Sequence, residues 1–254
     1  MEICYTTPAN KVWGLNLAIN NRLAAVWAME KKQQRIKSAI KGVPFFTGLS
    51  TDEVEQLQKV LVDKHFARNK IIFFEEDSQN YMYVILSGRV KAVHISGDGK
   101  EHILAVHKSG DCFGEMALLD GKTAPATVTA MEDSHILILS REVFEEHLLK
   151  NNKVLKQIIS VLCLRLRDSW IMLKAMSLSR SEDRIRTVLK LLAVQYGVKD
   201  GRGTIINMKL THQNLADYAS VSRETVTRFL NKLAKDGEIE ILDSKNICLL
   251  TPFL

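Results

Sequence analysis

Between His65 and Leu139 the apolar residues fall into short runs, Ile71–Phe74, Tyr81–Leu86, Val90–Ile95, Ile103–Val106, Thr127–Ala130 and His135–Leu139. They are rich in β-branched and aromatic side chains and are bounded by turn residues, which predicts strands. Gly88, Gly97, Gly99, Gly110, Gly114 and Gly121 lie between or beside them, where tight turns need positive φ. The pattern predicts an all-β sandwich or roll. Ahead of it, Ser50 or Thr51 can cap a short helix with Asp52 and Glu53 in its first turn and Val54, Leu57, Val60 and Leu61 on one face.

After Ser140 no glycine or proline occurs until Gly197, and the period changes. Leu155, Ile159, Leu162, Leu166, Ser169, Leu173 and Met176 follow a 4,3 rhythm, the spacing of a coiled-coil seam. Such a seam implies a partner helix, most simply the same helix of a second copy about a two-fold axis. A helix packed only on its own domain is the competing reading. A second break is expected at 177–181, where Ser179 or Ser181 can cap a new helix carrying Ile185, Val188, Leu189 and Leu192.

In the C-terminal part, Thr211–Ala219 reads as a short capped helix and Val221–Leu230 as a second, with Ser220–Ser222 as the turn between them. Two short helices around such a turn form a helix-turn-helix. On the second helix Val226, Leu230 and Leu233 point inward, while Arg223, Glu224, Thr227 and Arg228 occupy the outer face. Arginine can donate to O6 and N7 of guanine and glutamate can accept from N4 of cytosine, so this face suits the DNA major groove. Lys232, Lys235 and Gln213 suit phosphates, which position without specifying. A solvated, salt-bridged helix is the plain alternative. Gly237–Leu242 and Ile247–Leu250, joined by residues 243–246, read as a strand-turn-strand wing.

These boundaries divide the chain into an N-terminal extension (1–40), a β-roll (41–140), a dimerisation helix (141–178) and a winged helix-turn-helix (179–254). The fold class is thus α+β. Its 254 residues can bury two cores, and the net charge of +6 changes little, because the C-terminal part is only mildly basic. Four scattered cysteines, Cys4, Cys112, Cys163 and Cys248, form no CxxC, so no metal site is predicted. Gly14–Met29 is broken by Asn16, Asn20, Asn21 and Arg22, too polar for a membrane span or a secretory signal, which predicts a cytoplasmic protein. Residues 1–28 read as an extension, a loose amphipathic helix or a misplaced start ahead of Met29. No glycine-rich nucleotide loop, HExxH or nucleophile elbow occurs, and no enzyme is predicted.

The segment Ser222-Arg223-Glu224-Thr225-Val226-Thr227-Arg228 resembles the recognition helix of the cyclic-AMP receptor and fumarate-nitrate regulator family, and the resemblance extends over residues 41 to 252. It implies a transcription regulator binding double-stranded DNA as a homodimer at inverted repeats like TGTGA and acting with RNA polymerase. Arg223, Glu224 and Arg228 would read bases. Thr211, Gln213 and Ser222 match phosphate-contacting positions, and Thr225 and Thr227 complete the expected backbone contacts.

Phe113-Gly114-Glu115-Met116-Ala117-Leu118-Leu119 resembles the family's phosphate-binding cassette, whose glutamate holds a ribose hydroxyl. Gly114, Glu115, Met116 and Ala117, with Ser169 and Trp170 on the long helix, are therefore the expected effector residues. The family's arginine-containing phosphate clamp is replaced by Ala124 and Pro125, which argues against cyclic AMP in the usual mode. Lys122 nearby is no equivalent of a planar guanidinium. The indole of Trp170 is expected to fill much of a base-sized pocket. The effector is thus open: a small molecule, a redox signal at Cys112, haem on His94, His102 or His107 as in gas-sensing relatives, or none. A cyclic-nucleotide module regulating a protein partner remains the alternative, and the Arg223-Glu224-Arg228 face is what such a module would not need.

Overall fold

The computed structural model describes residues 40–242 and 246–251, together with 27, 31, 33, 34, 36–38 and 253. The expected extension over residues 1–28 lies outside the described residues apart from Trp27, as do Asp243, Ser244 and Lys245 of the expected wing turn. Helix α1 (Thr51–Val60) starts at a capping box: Ser50 Oγ accepts from the Glu53 amide and Glu53 Oε2 accepts from the Ser50 amide, at 3.2 and 2.6 Å.

Eight strands follow: β1 (Val62–Phe66), β2 (Ile71–Phe73), β3 (Tyr81–Ser87), β4 (Arg89–Ile95), β5 (Glu101–Lys108), β6 (Cys112–Phe113), β7 (Thr127–Ala130) and β8 (Ser134–Ser140). They form two antiparallel sheets, ordered β1-β8-β3-β6 and β2-β7-β4-β5, with the short helix α2 (Glu115–Asp120) after β6. Strand alternation sends Tyr83 and Ile85 between the sheets with Phe66, Phe73, Phe113 and Ile136. Their neighbours Met82 and Val84 face the other way, under Phe45, Leu57, Phe144 and Ile158. Burial on both faces is why β3 reads as an unbroken apolar run. The period did not reveal β1, whose Asp63-Lys64-His65 centre is polar because it is an edge strand, nor the two-residue β6.

The helix expected to run unbroken from Ser140 is interrupted. Ser140 caps only Arg141–Val143, a wide turn follows at Phe144–Leu148, and Asn151 then caps α3 (Asn152–Met176) by accepting from the Lys153 and Val154 amides. Asn151 offers a side-chain acceptor that an apolar-period reading does not register. Helix α4 (Ser181–Tyr196) begins after Arg180, and neither Ser179 nor Ser181 caps it.

Helices α5 (His212–Ala219) and α6 (Arg223–Lys235) pack on α4. The wing strands β11 (Ile239–Ile241) and β12 (Ile247–Leu250) belong to a four-stranded sheet with β9 (Gly197–Asp200) and β10 (Gly203–Ile206), in the order β11-β12-β10-β9. The last two strands were not anticipated. Gly203 is what lets β10 approach β12, because a Cβ there would lie 2.0 Å from the Leu249 carbonyl oxygen.

The hairpin of β4 and β5 joins the two halves. Val93, Ile103 and Val106 enter the same apolar core as Ile185, Leu189, Tyr196 and Leu215. Polar bonds surround that contact: Tyr196 Oη donates to Val106 O at 2.7 Å, Lys108 Nζ to Gln195 O at 2.7 Å and Arg89 Nη2 to Asn207 O at 2.9 Å. Among the described residues no helix is long and apolar enough to cross a membrane.

Candidate nucleic-acid interface and effector cassette

Thr211 caps α5 through a capping box with Asn214, and Ser222 caps α6 by accepting from the Thr225 amide at 3.2 Å. Between them Ser220 adopts a left-handed conformation, φ 50°, which costs a non-glycine residue about 1 kcal/mol. It is held from two sides, by Arg184 Nη1 donating to its carbonyl at 3.2 Å and by His102 Nδ1 at 3.2 Å from its hydroxyl. Helix α6 buries Val226, Phe229, Leu230 and Leu233 and leaves Arg223, Glu224 and Arg228 exposed side by side. The Glu224 carboxyl lies below its usual range, through its own backbone amide first and the Ser222 hydroxyl second, so it is an ionised acceptor at neutral pH.

The expected backbone contacts are brought to one rim, but their side chains already have partners inside the motif. Thr211 Oγ1 bonds Asn214 Oδ1 at 2.7 Å, Gln213 Nε2 donates to Asp217 Oδ1 at 2.7 Å and Ser222 and Thr225 share a hydroxyl bond of 3.0 Å. Thr227 Oγ1 donates to Arg223 O at 3.0 Å and sits 2.8 Å from His212 Nδ1. Lys232 pairs with Glu182 at 3.1 Å, which removes it from the free cations of that face.

Helix α3 presents an uncovered apolar stripe. Leu155 and Leu162 pack against the β-roll core, whereas Ile159, Leu166 and Leu173 are exposed, Leu173 at 71%. Trp170 lies in the same stripe at 61% exposure. Ser169 Oγ donates back to Arg165 O at 2.9 Å.

In the cassette, Gly114 takes φ 83° and a Cβ there would lie 2.8 Å from Tyr81 O, so the turn into α2 needs glycine. Glu115 is fully buried; Met116 is exposed and Ala117 buried. Arg165 of α3, which the sequence reading missed, donates to Glu115 Oε1 and to the Cys112 carbonyl. Desolvation raises the Glu115 carboxyl and Arg165 opposes that shift; Oε2 has no hydrogen-bond partner among the described residues. The signal for Arg165 lay in its place, one helical turn before Ser169.

The other candidates are separated. Cys112 is buried and burial raises its thiol well above the usual value, so it is a protonated thiol rather than a reactive thiolate. His94 lies 3.0 Å from Glu75, His102 bonds Ser220, and His107 stacks on Phe113 with ring centroids 5.8 Å apart. Among the described residues no His, Cys, Asp and Glu group could hold a metal ion. Lys122 is exposed, and two broad clefts of about 880 and 780 Å³ lie away from the cassette.

Residues 63–151 match the cyclic nucleotide-binding domain family and residues 184–252 the Crp-like helix-turn-helix domain. The chain is 32% identical over 203 residues to the cyclic AMP receptor protein of Thermus thermophilus, covering 80% of this chain and 90% of that protein. It belongs to the cyclic-AMP receptor and fumarate-nitrate regulator family of transcription regulators. Another relative, the global nitrogen regulator of a Nostoc species, is 30% identical over 71% of this chain and 82% of its own length. The family's architecture is also seen in FixK2 of Bradyrhizobium japonicum, which superposes with a TM-score of 0.66 at 21% identity over 75% of this chain and 92% of that one. Within this family the cassette departs at the phosphate end. Ala124 is buried with its amide donating to Asp77 O, Pro125 has no N–H, and the residues present do not fit a cyclic phosphate.

Proposed function

We propose that this regulator binds DNA as a homodimer, placing α6 of each copy in the major groove of a TGTGA-like inverted repeat. Arg223 and Arg228 would donate to guanines and Glu224 would accept from cytosine. The observation that carries the reading is the exposed Arg223-Glu224-Arg228 face on a helix whose opposite face is buried throughout. The stripe of Ile159, Leu166, Trp170 and Leu173 on α3 supports a second copy of the same helix as its cover. The two recognition helices would then meet grooves about 34 Å apart.

The signal enters at the cassette in this reading. Arg165 joins α3 to Glu115, so anything that alters Glu115 also moves the helix that carries the dimer seam. Control at the β-roll does not run through cyclic AMP in its usual mode, and the bound regulator acts in the cytoplasm with RNA polymerase. Light scattering of the full chain, with fluorescence anisotropy on a TGTGA inverted repeat and a scrambled duplex, tests the proposal. A dimer that prefers the repeat at fixed salt is expected. A monomer that grips both duplexes equally would end it. Cyclic AMP titrated into the same assay should leave the affinity unchanged.

A further inference from the structure

Helix α3 turns one line of residues away from everything its own chain packs against. Val154, Ile158 and Ala175 are buried, and Val161, Leu162 and Met172 pack against the two cores. On a helix of 3.6 residues per turn the line opposite these is Cys163 and Trp170, flanked closely by Ile159, Leu166 and Leu173. All five are exposed. Their 4,3 spacing is that of a coiled-coil seam, one position on from the seam that would run through Leu155, Leu162 and Ser169. The two seams share Ile159, Leu166 and Leu173 and differ in which residues between them meet the axis.

The flanks give the direction of pairing. Lys156, Arg167 and Lys174 lie exposed along one side of the line, and Leu155, Leu162 and Ser169 along the other. An antiparallel pair would set one basic flank against the other. A parallel pair sets each basic flank against its neighbour's uncharged one. We infer that α3 pairs in parallel with α3 of a second copy along Ile159, Cys163, Leu166, Trp170 and Leu173, so that Cys163 of the two copies face each other across the two-fold axis. The inference rests on the homodimer reading above and fixes its register. Helix axes about 10 Å apart, less two helix radii of about 2.3 Å, bring axis-facing Cα atoms to about 5 Å. A disulfide spans about 4.4–6.8 Å between Cα atoms, so the two thiols are within bonding reach. Ser169 is also exposed, but it lies on a flank, and a thiol there would point away from its counterpart.

The test uses the full chain carrying Cys4→Ser, in which Cys163 is the exposed thiol among the described residues and Cys112 and Cys248 are buried. Light scattering establishes the dimer first. Diamide, a diazene oxidant, then takes two electrons and two protons from a pair of thiols and becomes the hydrazine as one S–S bond forms. A covalent dimer on a non-reducing gel is expected, and adding Cys163→Ser should abolish it. Cys4→Ser/Cys163→Ser/Ser169→Cys is expected to cross-link at least about tenfold more slowly than Cys4→Ser, because its thiols start outside disulfide reach. A light-scattering dimer in which Ser169→Cys cross-links as fast as Cys163, or in which neither does, overturns the register and leaves the homodimer reading standing. A monomer at every concentration ends that reading and this inference with it.

Discussion

The helix-turn-helix and the cassette are built on opposite principles. At α6 the charged side chains Arg223, Glu224 and Arg228 are left exposed and unpaired with one another while the uncharged hydroxyls around them are tied into caps. At the cassette a buried carboxylate is already paired, Glu115 with the half-buried Arg165. One end keeps its hydrogen-bonding capacity for a partner; the other has closed much of it within the chain. Two modules on one polypeptide, each matching its own family model, can therefore dispose their charges in opposite ways.

The largest effect should come from opening the cassette pair. Arg165→Met strands a buried carboxylate and is expected to lower the urea-unfolding free energy by about 3 kcal/mol, with Arg165→Met/Glu115→Leu recovering most of it. A loss under 1 kcal/mol would show that the pair is solvated and the contrast between the ends is weaker than described. At the other end, Arg223→Ala should leave stability within about 0.5 kcal/mol but remove about 1 to 3 kcal/mol of discrimination at one guanine, read by competition with single-base operator variants.

Acid should separate the ends further. Burial, with Arg165 second, depresses His107 to about 3. The folded state then binds fewer protons than the unfolded chain between about pH 6.5 and 3, so stability is full above the unfolded value and falls as pH drops. Wild type should lose about 1 kcal/mol more than His107→Leu between pH 6.5 and 5.5, measured by urea unfolding at each pH. The smallest change expected is at the joint: Tyr196→Phe leaves the Val106 carbonyl without its donor and should cost about 1 kcal/mol in the same assay.

Sequence period made the sandwiched strands and the helix-turn-helix legible, because burial imposes repeats of two and of about 3.6. It failed where polar chemistry sets the structure. The Asn151 cap interrupts an otherwise continuous helical segment, and edge strand β1 carries Asp63, Lys64 and His65. The exposed Arg223-Glu224-Arg228 face could be anticipated because it lies within a contiguous heptapeptide. Arg165 could not, since it meets Glu115 from 50 residues away.

The hairpin of β4 and β5 bears on how this regulator could be re-engineered. Ile103 and Val106 complete the interior of the C-terminal unit, and Arg89 and Lys108 close its outer carbonyls. A fragment cut before Ser181 would bare that interior to water and invite aggregation. Grafting the reading head onto another sensor would thus require carrying the hairpin along as part of the transplant.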